Sequence, residues 1–286
     1  MSRPEPPPPP GQDWDDTFEI DTSVAHAARR YNYLLGGTDH FAADRISGDA
    51  IVAAFPTVRI AVMENRRFLR RAVTYLAEHA GIRQFLDIGT GIPAAGNVHE
   101  VAQGIDPATR VVYVDHDPIV LAHARRLLSA TPDGGATAYI HADLREPDAI
   151  LGHPDLRDTL DLSRPVALLL ISVVPFLTDA DDPYGKVARL TRALAPGSHL
   201  AMSHGTTDFL SAEAAAEFDA LARREGARSR EAGQMRDKAA IARFFDGLDL
   251  VPPGIVALPD WRSELPPAER PSAADVSNYS AVARIR

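Results

Sequence analysis

The rhythm of apolar and polar positions divides the chain into two textures. From Ser23 to Ala80 the period is helical. "SVAHAARRYNYLL" is amphipathic, with Ser23 where a cap belongs and Gly36-Gly37 as a stop. "DHFAADRISGDAIVAAF" follows and ends at Pro56. In "RIAVMENRRFLRRAVTYLAEHA", Ile60, Met63, Phe68, Val73 and Leu76 fall near helical spacing, and Gly81 closes the run. From Gln84 onward, strand-like runs alternate with helical ones. "QFLDIG", "RVVYVDHD", "ATAYIHAD", "PVALLLISVV" and "SHLAMSH" read as strands, the fourth buried on both faces. Between them, "NVHEVAQGI", "PIVLAHARRLLSA" (opened by Pro118), "PDAILGHPDLRDTL" in part, and "KVARLTRALA" read as helices. Two more helices are expected at about 211–225 and 236–246, and "GIVALP" and "YSAVARI" end the chain as strands.

This alternation predicts an α/β fold with a Rossmann-like, doubly wound parallel sheet of seven strands. The last two strands have no clear helix between them, so they are expected to form an antiparallel excursion at one edge. Three regions follow. Residues 1–20 are a proline-rich tail, in which "PEPPPPP" has no core to join and reads as polyproline II or disorder. Residues 21–81 form a helical cover, and residues 82–286 form the sheet domain.

Composition narrows the chemistry. There is no cysteine, which excludes disulfides, thiolate metal sites and a thiol nucleophile, and fits a reducing cytoplasm. The formal net charge of −9 repels a phosphate backbone, which argues against a nucleic-acid partner. The longest apolar run, Pro165 to Leu177, is too short to span a bilayer, and no signal peptide is evident. The expected setting is cytoplasmic, away from the membrane, with the oligomeric state open.

In a doubly wound sheet the ligand lies beyond the carboxyl ends of the strands. That places Asp87 to Pro93, "DIGTGIP", at the centre of the candidate site. Gly89 and Gly91 let the backbone approach a ligand without Cβ clashes. Gly89-x-Gly91-x-x-Ala94 also satisfies a dinucleotide fingerprint, which alone is weak. Asp87 would repel a pyrophosphate but attract a sulfonium or an amino group. Asp115 follows Gly89 by 26 residues, where the dinucleotide rule expects about 20. At the end of the second strand Asp115 is placed to accept from ribose hydroxyls, a role common to NAD and S-adenosylmethionine sites. Asp143, with the N–H of Leu144, is placed for an adenine ring; capping of the next segment is the competing role. His116, His141 and His204 lie near strand ends without metal spacing; each is a candidate base, but an ordinary surface or capping role is the favoured reading. Of Arg66, Arg67, Arg70 and Arg71, one suits a cofactor carboxylate, against a plain solvated helix face. Tyr31, Tyr33 and the glycine pair suit a movable cover, and core packing explains them about as well.

With these residues placed, the chain resembles the class I S-adenosylmethionine-dependent methyltransferases, and within them the bacterial S-adenosyl methyltransferase subfamily whose substrate is generally unassigned. The similarity rests on "ARRYNYLLGGTDHFAADR", "NRRFLRRAVTYLAEHAGIRQFLDIGTGIP", "VVYVDHDPIVLAHARRLL", "LAPGSHLAMSH" and "FFDGLDLVPPGIVALPDWR". It implies the seven-stranded methyltransferase sheet with a reversed last strand. It also implies S-adenosylmethionine as cofactor, with S-adenosylhomocysteine as product. The candidate cofactor set is Asp87, Gly89, Thr90, Gly91, Asp115, His116, Asp143, Leu144 and Ser172, with Tyr33 and Arg67 as outer members. Asn32, Thr38 and His40 depart from the acid, lysine and asparagine usual in the first segment. Pro175 and Phe176 stand where the subfamily often carries histidine, which weighs against histidine-assisted chemistry there. The expected activity is in-line methyl transfer to a small-molecule acceptor. Such transfer needs positioning and exclusion of water more than a catalytic dyad. The alternatives are a regulatory protein that binds the cofactor without turnover and an NAD-dependent oxidoreductase.

Overall fold

The computed structural model describes residues 21–120, 122–123, 135–229 and 233–286. The proline tail and most of the helix expected from Pro118 lie outside the described residues; residues 118–120 and 122–123 are helical.

The sheet contains β1 (Gln84–Ile88), β2 (Arg110–Asp115), β3 (Thr137–His141), β4 (Ala167–Ile171), β5 (His199–Gly205), β6 (Asp249–Leu250), β7 (Val256–Ala257) and β8 (Asn278–Arg284). Its order is β3-β2-β1-β4-β5-β8-β6, with β7 also on β8. The first five strands are parallel, and β8 is antiparallel to β5, β6 and β7. The sheet therefore has eight strands, one more than the seven expected. The additional one is the two-residue β6, and "GIVALP" contributes only Val256–Ala257. The antiparallel excursion is present, but β8 runs inside it, between β5 and β6.

Burial on both faces explains the continuous apolar runs. Leu86 and Ile88, Val112 and Val114, and Leu168 and Leu170 join one core. Their neighbours Phe85, Val111, Tyr113, Ala167 and Leu169 join the other, against the long third helix. "PVALLLISVV" ends as a strand at Ile171, because Ser172 turns to a left-handed φ of 53° and residues 174–176 form a short 3-10 turn.

Three helices precede the sheet: α1 (Ala27–Leu34), α2 (Ala42–Ala54) and α3 (Val58–Glu78). Ser23 does not cap α1. Its N–H and hydroxyl both donate to Asp21, and His26 takes the cap position. On α3 the buried face is Ala61, Val62, Phe68, Leu69, Ala72, Val73 and Leu76. Ile60 and Met63, expected on that face, are 42% and 51% exposed. Ala61 and Ala72 are buried in the core that α3 shares with the sheet, so packing chose a face rotated from the one that bulk suggested.

Candidate active site

The strand order reverses between β1 and β4, which opens a crevice at the carboxyl edge of the sheet. A cavity of about 320 Å³ lies there, roofed by α1–α3. Asp87, Gly89, Thr90, Gly91, Asp115, His116 and Ser172 all line it.

The two glycines do different work. Both are left-handed, with φ of 77° at Gly89 and 67° at Gly91. A Cβ on Gly89 would lie 2.3 Å from Val173 Cγ2, so this glycine lets the loop pack on the β4 exit. A Cβ on Gly91 would meet nothing within 4 Å, so the open approach to the cavity is at Gly91. The Gly91 N–H donates to Asp115 Oδ2 at 2.8 Å, and the Asp117 N–H donates to Asp115 Oδ1 at 2.9 Å. These bonds fix the carboxylate and leave lone pairs for further donors.

Burial pushes the Asp87 carboxyl up to about 7; Arg66 and a Thr90 hydrogen bond oppose the rise, and Asp115 adds to it. Burial also raises Asp115. Two buried acids facing one cavity make it a place for positive charge and hydroxyl donors.

The roof is pinned to the β2 exit. His26 Nδ1 pairs with Asp117 Oδ2 at 2.8 Å, and Arg29 Nε lies 3.7 Å from the same oxygen. His26 Nε2 lies 3.1 Å from His116 Nε2. Buried Asp44 accepts from the backbone N–H groups of His26 and Phe41. These contacts explain much of the "ARRYNYLLGGTDHFAADR" segment. Asn32 belongs to the same scaffold, accepting from the Asp39 N–H at 3.0 Å, while the ring Nε2 of His40 lies 3.1 Å from the Gly37 carbonyl oxygen.

Four residues expected in the site stand away from the cavity. Arg67 is 53% exposed at its side chain and pairs with Glu64, whereas its neighbour Arg66 lines the cavity. Arg66 Nη2 donates to the Ala94 and Ala95 carbonyls and to Asn97 Oδ1. Tyr33 donates to Asp49 at 2.6 Å outside the cavity; Tyr31, two residues earlier, lines it. Asp143 pairs with Arg145 at 3.1 Å, and Leu144 is buried in the core. Arg71 holds Glu64 and the Trp261 and Leu258 carbonyls, a structural task.

His204 is fully buried, and burial drops it to about 4. Neutral, it donates from Nδ1 to the Gly205 carbonyl and accepts at Nε2 from Arg236. Buried Arg236 also holds the Leu177 carbonyl and Asp179, and so anchors cavity-lining Met235. Nothing in the apolar rhythm of the sequence marks Arg236, Asn65 or His26, because each acts through a partner distant in the chain.

A mostly parallel sheet with a reversed β8, and a crevice with two buried acids behind a glycine loop at its switch point, are the frame of a Rossmann-like methyltransferase. The model of the S-adenosyl methyltransferase family matches residues 13–286, and the chain belongs to that family, acting as an S-adenosylmethionine-dependent methyltransferase. It is similar to a DUF574 family protein from Streptomyces avermitilis, at 48% identity and a TM-score of 0.87, over 94% of this chain and 100% of that one. It is also similar to a candidate methyltransferase from Thermobifida fusca, at 39% identity and a TM-score of 0.85, over 93% and 97%. An O-methyltransferase family protein from Burkholderia thailandensis, at 15% identity and a TM-score of 0.51 over 85% and 62%, shares the fold. No curated protein matches the chain.

Proposed function

We propose that the crevice holds S-adenosylmethionine through Asp87, Gly91, Asp115 and Arg66, and that a small-molecule acceptor enters beneath α1–α3. The reading is carried by Asp87, a buried carboxyl at the end of β1 that lines the cavity beside the glycine loop and whose charge calls for a cation. The cofactor supplies an electrophilic methyl group on a sulfonium. Asp87 faces the cationic end, Asp115 accepts from the ribose hydroxyls, and Arg66 meets the carboxylate. Gly91 lets the backbone come close. Leu34, Val62 and Phe218 help keep water out of the cavity they line. Catalysis then consists mainly of alignment and desolvation. A cytoplasmic setting belongs to the same reading and is supported by a chain without cysteine.

Titration calorimetry with S-adenosylmethionine, S-adenosylhomocysteine and NAD tests this. Binding of the first two and not of NAD is expected; the reverse would sink the reading in favour of an oxidoreductase. Asp115→Asn should weaken S-adenosylhomocysteine about tenfold, by loss of a charge-assisted hydrogen bond.

A further inference from the structure

A line of hydrogen bonds runs from the roof to the β4 exit, and its polarity can be worked out from one end. The Val62 carbonyl only accepts, so the Tyr31 hydroxyl, 3.0 Å away, gives its proton there. Tyr31 oxygen therefore accepts from Asn65 Nδ2 at 3.1 Å. That turns Asn65 Oδ1 toward Ser203, whose hydroxyl donates to it at 2.6 Å. Ser203 has then spent its proton. Its oxygen accepts from the Ser172 N–H at 3.0 Å and faces the Ser172 hydroxyl at 3.3 Å. In that last contact Ser172 is the donor, and what Ser172 turns to the cavity is lone pairs.

Ser172 is also one of four non-glycine residues with positive φ among the described residues; two of these, Ser172 and Ser277, line the cavity, and Ser172 directly follows the central strand β4. Such a conformation is strained for a residue with a Cβ, and the bonds to Ser203 hold it. Much of the cavity wall is apolar: Leu34, Phe55, Val62, Phe218, Leu221 and Met235 line it, with the Phe55 and Phe218 rings 6.1 Å apart, and Thr206, Ser277 and Asn278 add uncharged polar groups. The acids of the lining are Asp87 and Asp115. Of its arginines, Arg30 donates to Ser47 and Arg66 to the carbonyls after the glycine loop.

We propose that Ser172 positions the methyl acceptor, and that the acceptor is an uncharged, largely apolar small molecule presenting an O–H or N–H donor to the Ser172 oxygen. This rests on the methyltransferase site proposed above. A carboxylate would enter an apolar wall near two acids, and an ether would meet lone pairs with lone pairs.

The test uses the full chain saturated with S-adenosylhomocysteine, and three probes: 2-naphthol, 2-methoxynaphthalene and 2-naphthoate. Calorimetry should rank 2-naphthol about threefold to tenfold above its methyl ether, the span of one neutral hydrogen bond, and 2-naphthoate weakest. Ser172→Ala and Ser172→Gly should erase the preference for 2-naphthol and leave the S-adenosylhomocysteine affinity unchanged; the glycine variant also relieves the backbone. Tyr31→Phe should narrow the preference too, because Asn65 can then turn over and return a proton to Ser203, a change that a purely structural role would not produce. The proposal is overturned if no naphthalene binds, if 2-naphthoate matches 2-naphthol, or if the preference survives in both Ser172 variants. It is equally overturned if those variants lose S-adenosylhomocysteine, since Ser172 would then face the cofactor. Failure of the wild type to bind S-adenosylhomocysteine, seen before any probe is added, is the separate result that removes the underlying site.

Discussion

In the proposed cofactor site Asp87 is the side chain on which most depends, and its titration makes that measurable. Its folded value of about 7 lies above the ordinary carboxyl value of about 3.9. A raised folded value means that the group's stabilising contribution is complete below the unfolded value and is lost as pH rises through about 7. Thermal stability of the protein alone should therefore fall between about pH 5 and 8, with buried Asp115 acting in the same direction. A bound cation reverses the preference and draws Asp87 into its charged form. S-adenosylhomocysteine, which lacks the sulfonium but keeps the α-ammonium as a cation, should thus bind more tightly as pH rises from about 6 to 8 and release protons as it does. Calorimetry in buffers of different ionisation enthalpy measures that release. Asp87→Asn should bind more weakly and lose this part of the slope; a wild-type affinity flat across the range would detach Asp87 from the cofactor's charged end. The glycines give a second contrast at this scale. Gly89→Ala forces a Cβ to 2.3 Å from Val173 in a left-handed backbone, so it combines overpacking of about 1–3 kcal/mol with strain of about 1–2 kcal/mol. Gly91→Ala meets open space and incurs the strain alone. Melting should fall more in Gly89→Ala, whereas Gly91→Ala should retain more stability and lose cofactor affinity. Equal melting temperatures would refute the division of labour.

At the level of elements, α3 shows what a sequence makes legible. The helix itself follows from its period, but the face it buries depends on the partner surface. Packing against the sheet buries Ala61 and Ala72 and leaves Ile60 and Met63 to solvent. The same rotation places Arg66 in the cavity wall and Arg67 beside Glu64. Arg66→Ala should accordingly weaken S-adenosylmethionine severalfold, and Arg67→Ala should leave it within error. A reversed order in side-by-side titrations would show that the helix face is misassigned. The central strands were legible because burial on both faces writes an unbroken apolar run, as in "ALLLI". The two-residue β6 leaves no such trace, and β7 is shorter than the "GIVALP" run that announces it, since their pairing with β8 is decided by the sheet edge. Asp87, Asp115 and the glycine loop were readable because backbone chemistry ties them to strand ends. The polarised line from Tyr31 to Ser172 was not, because its links join residues 34, 138 and 31 positions apart in the chain.

Across the whole molecule, the roof and the sheet form one site. α1 reaches the β2 exit through His26 and Arg29, both on Asp117, and reaches β5 through Tyr31 and Asn65. Arg59 on α3 donates to the Leu34 carbonyl and closes the other end of α1. A ligand held between Asp87 and Asp115 therefore loads the roof through Asp117, two residues beyond Asp115, whose N–H is bonded to the Asp115 carboxylate. Burial would raise the Asp117 carboxyl, but the His26 hydrogen bond and charge, with Arg29 behind them, outweigh it and hold the group low. The Asp117 carboxylate thus stays charged near neutral pH, and the roof is fastened to the strand end at which the nucleoside is proposed to bind. Opening of α1 and opening of the crevice should then be one event, with backbone amides of both exchanging together. Adding S-adenosylhomocysteine is expected to slow hydrogen exchange in residues 28–37 by a factor similar to that in 87–93 and 115–117. Arg29→Ala should weaken that link, leaving ligand protection at 87–93 while reducing it across 28–37. Protection confined to the glycine loop and the β2 exit in the wild type would mean that α1 opens independently, and would defeat the coupled roof.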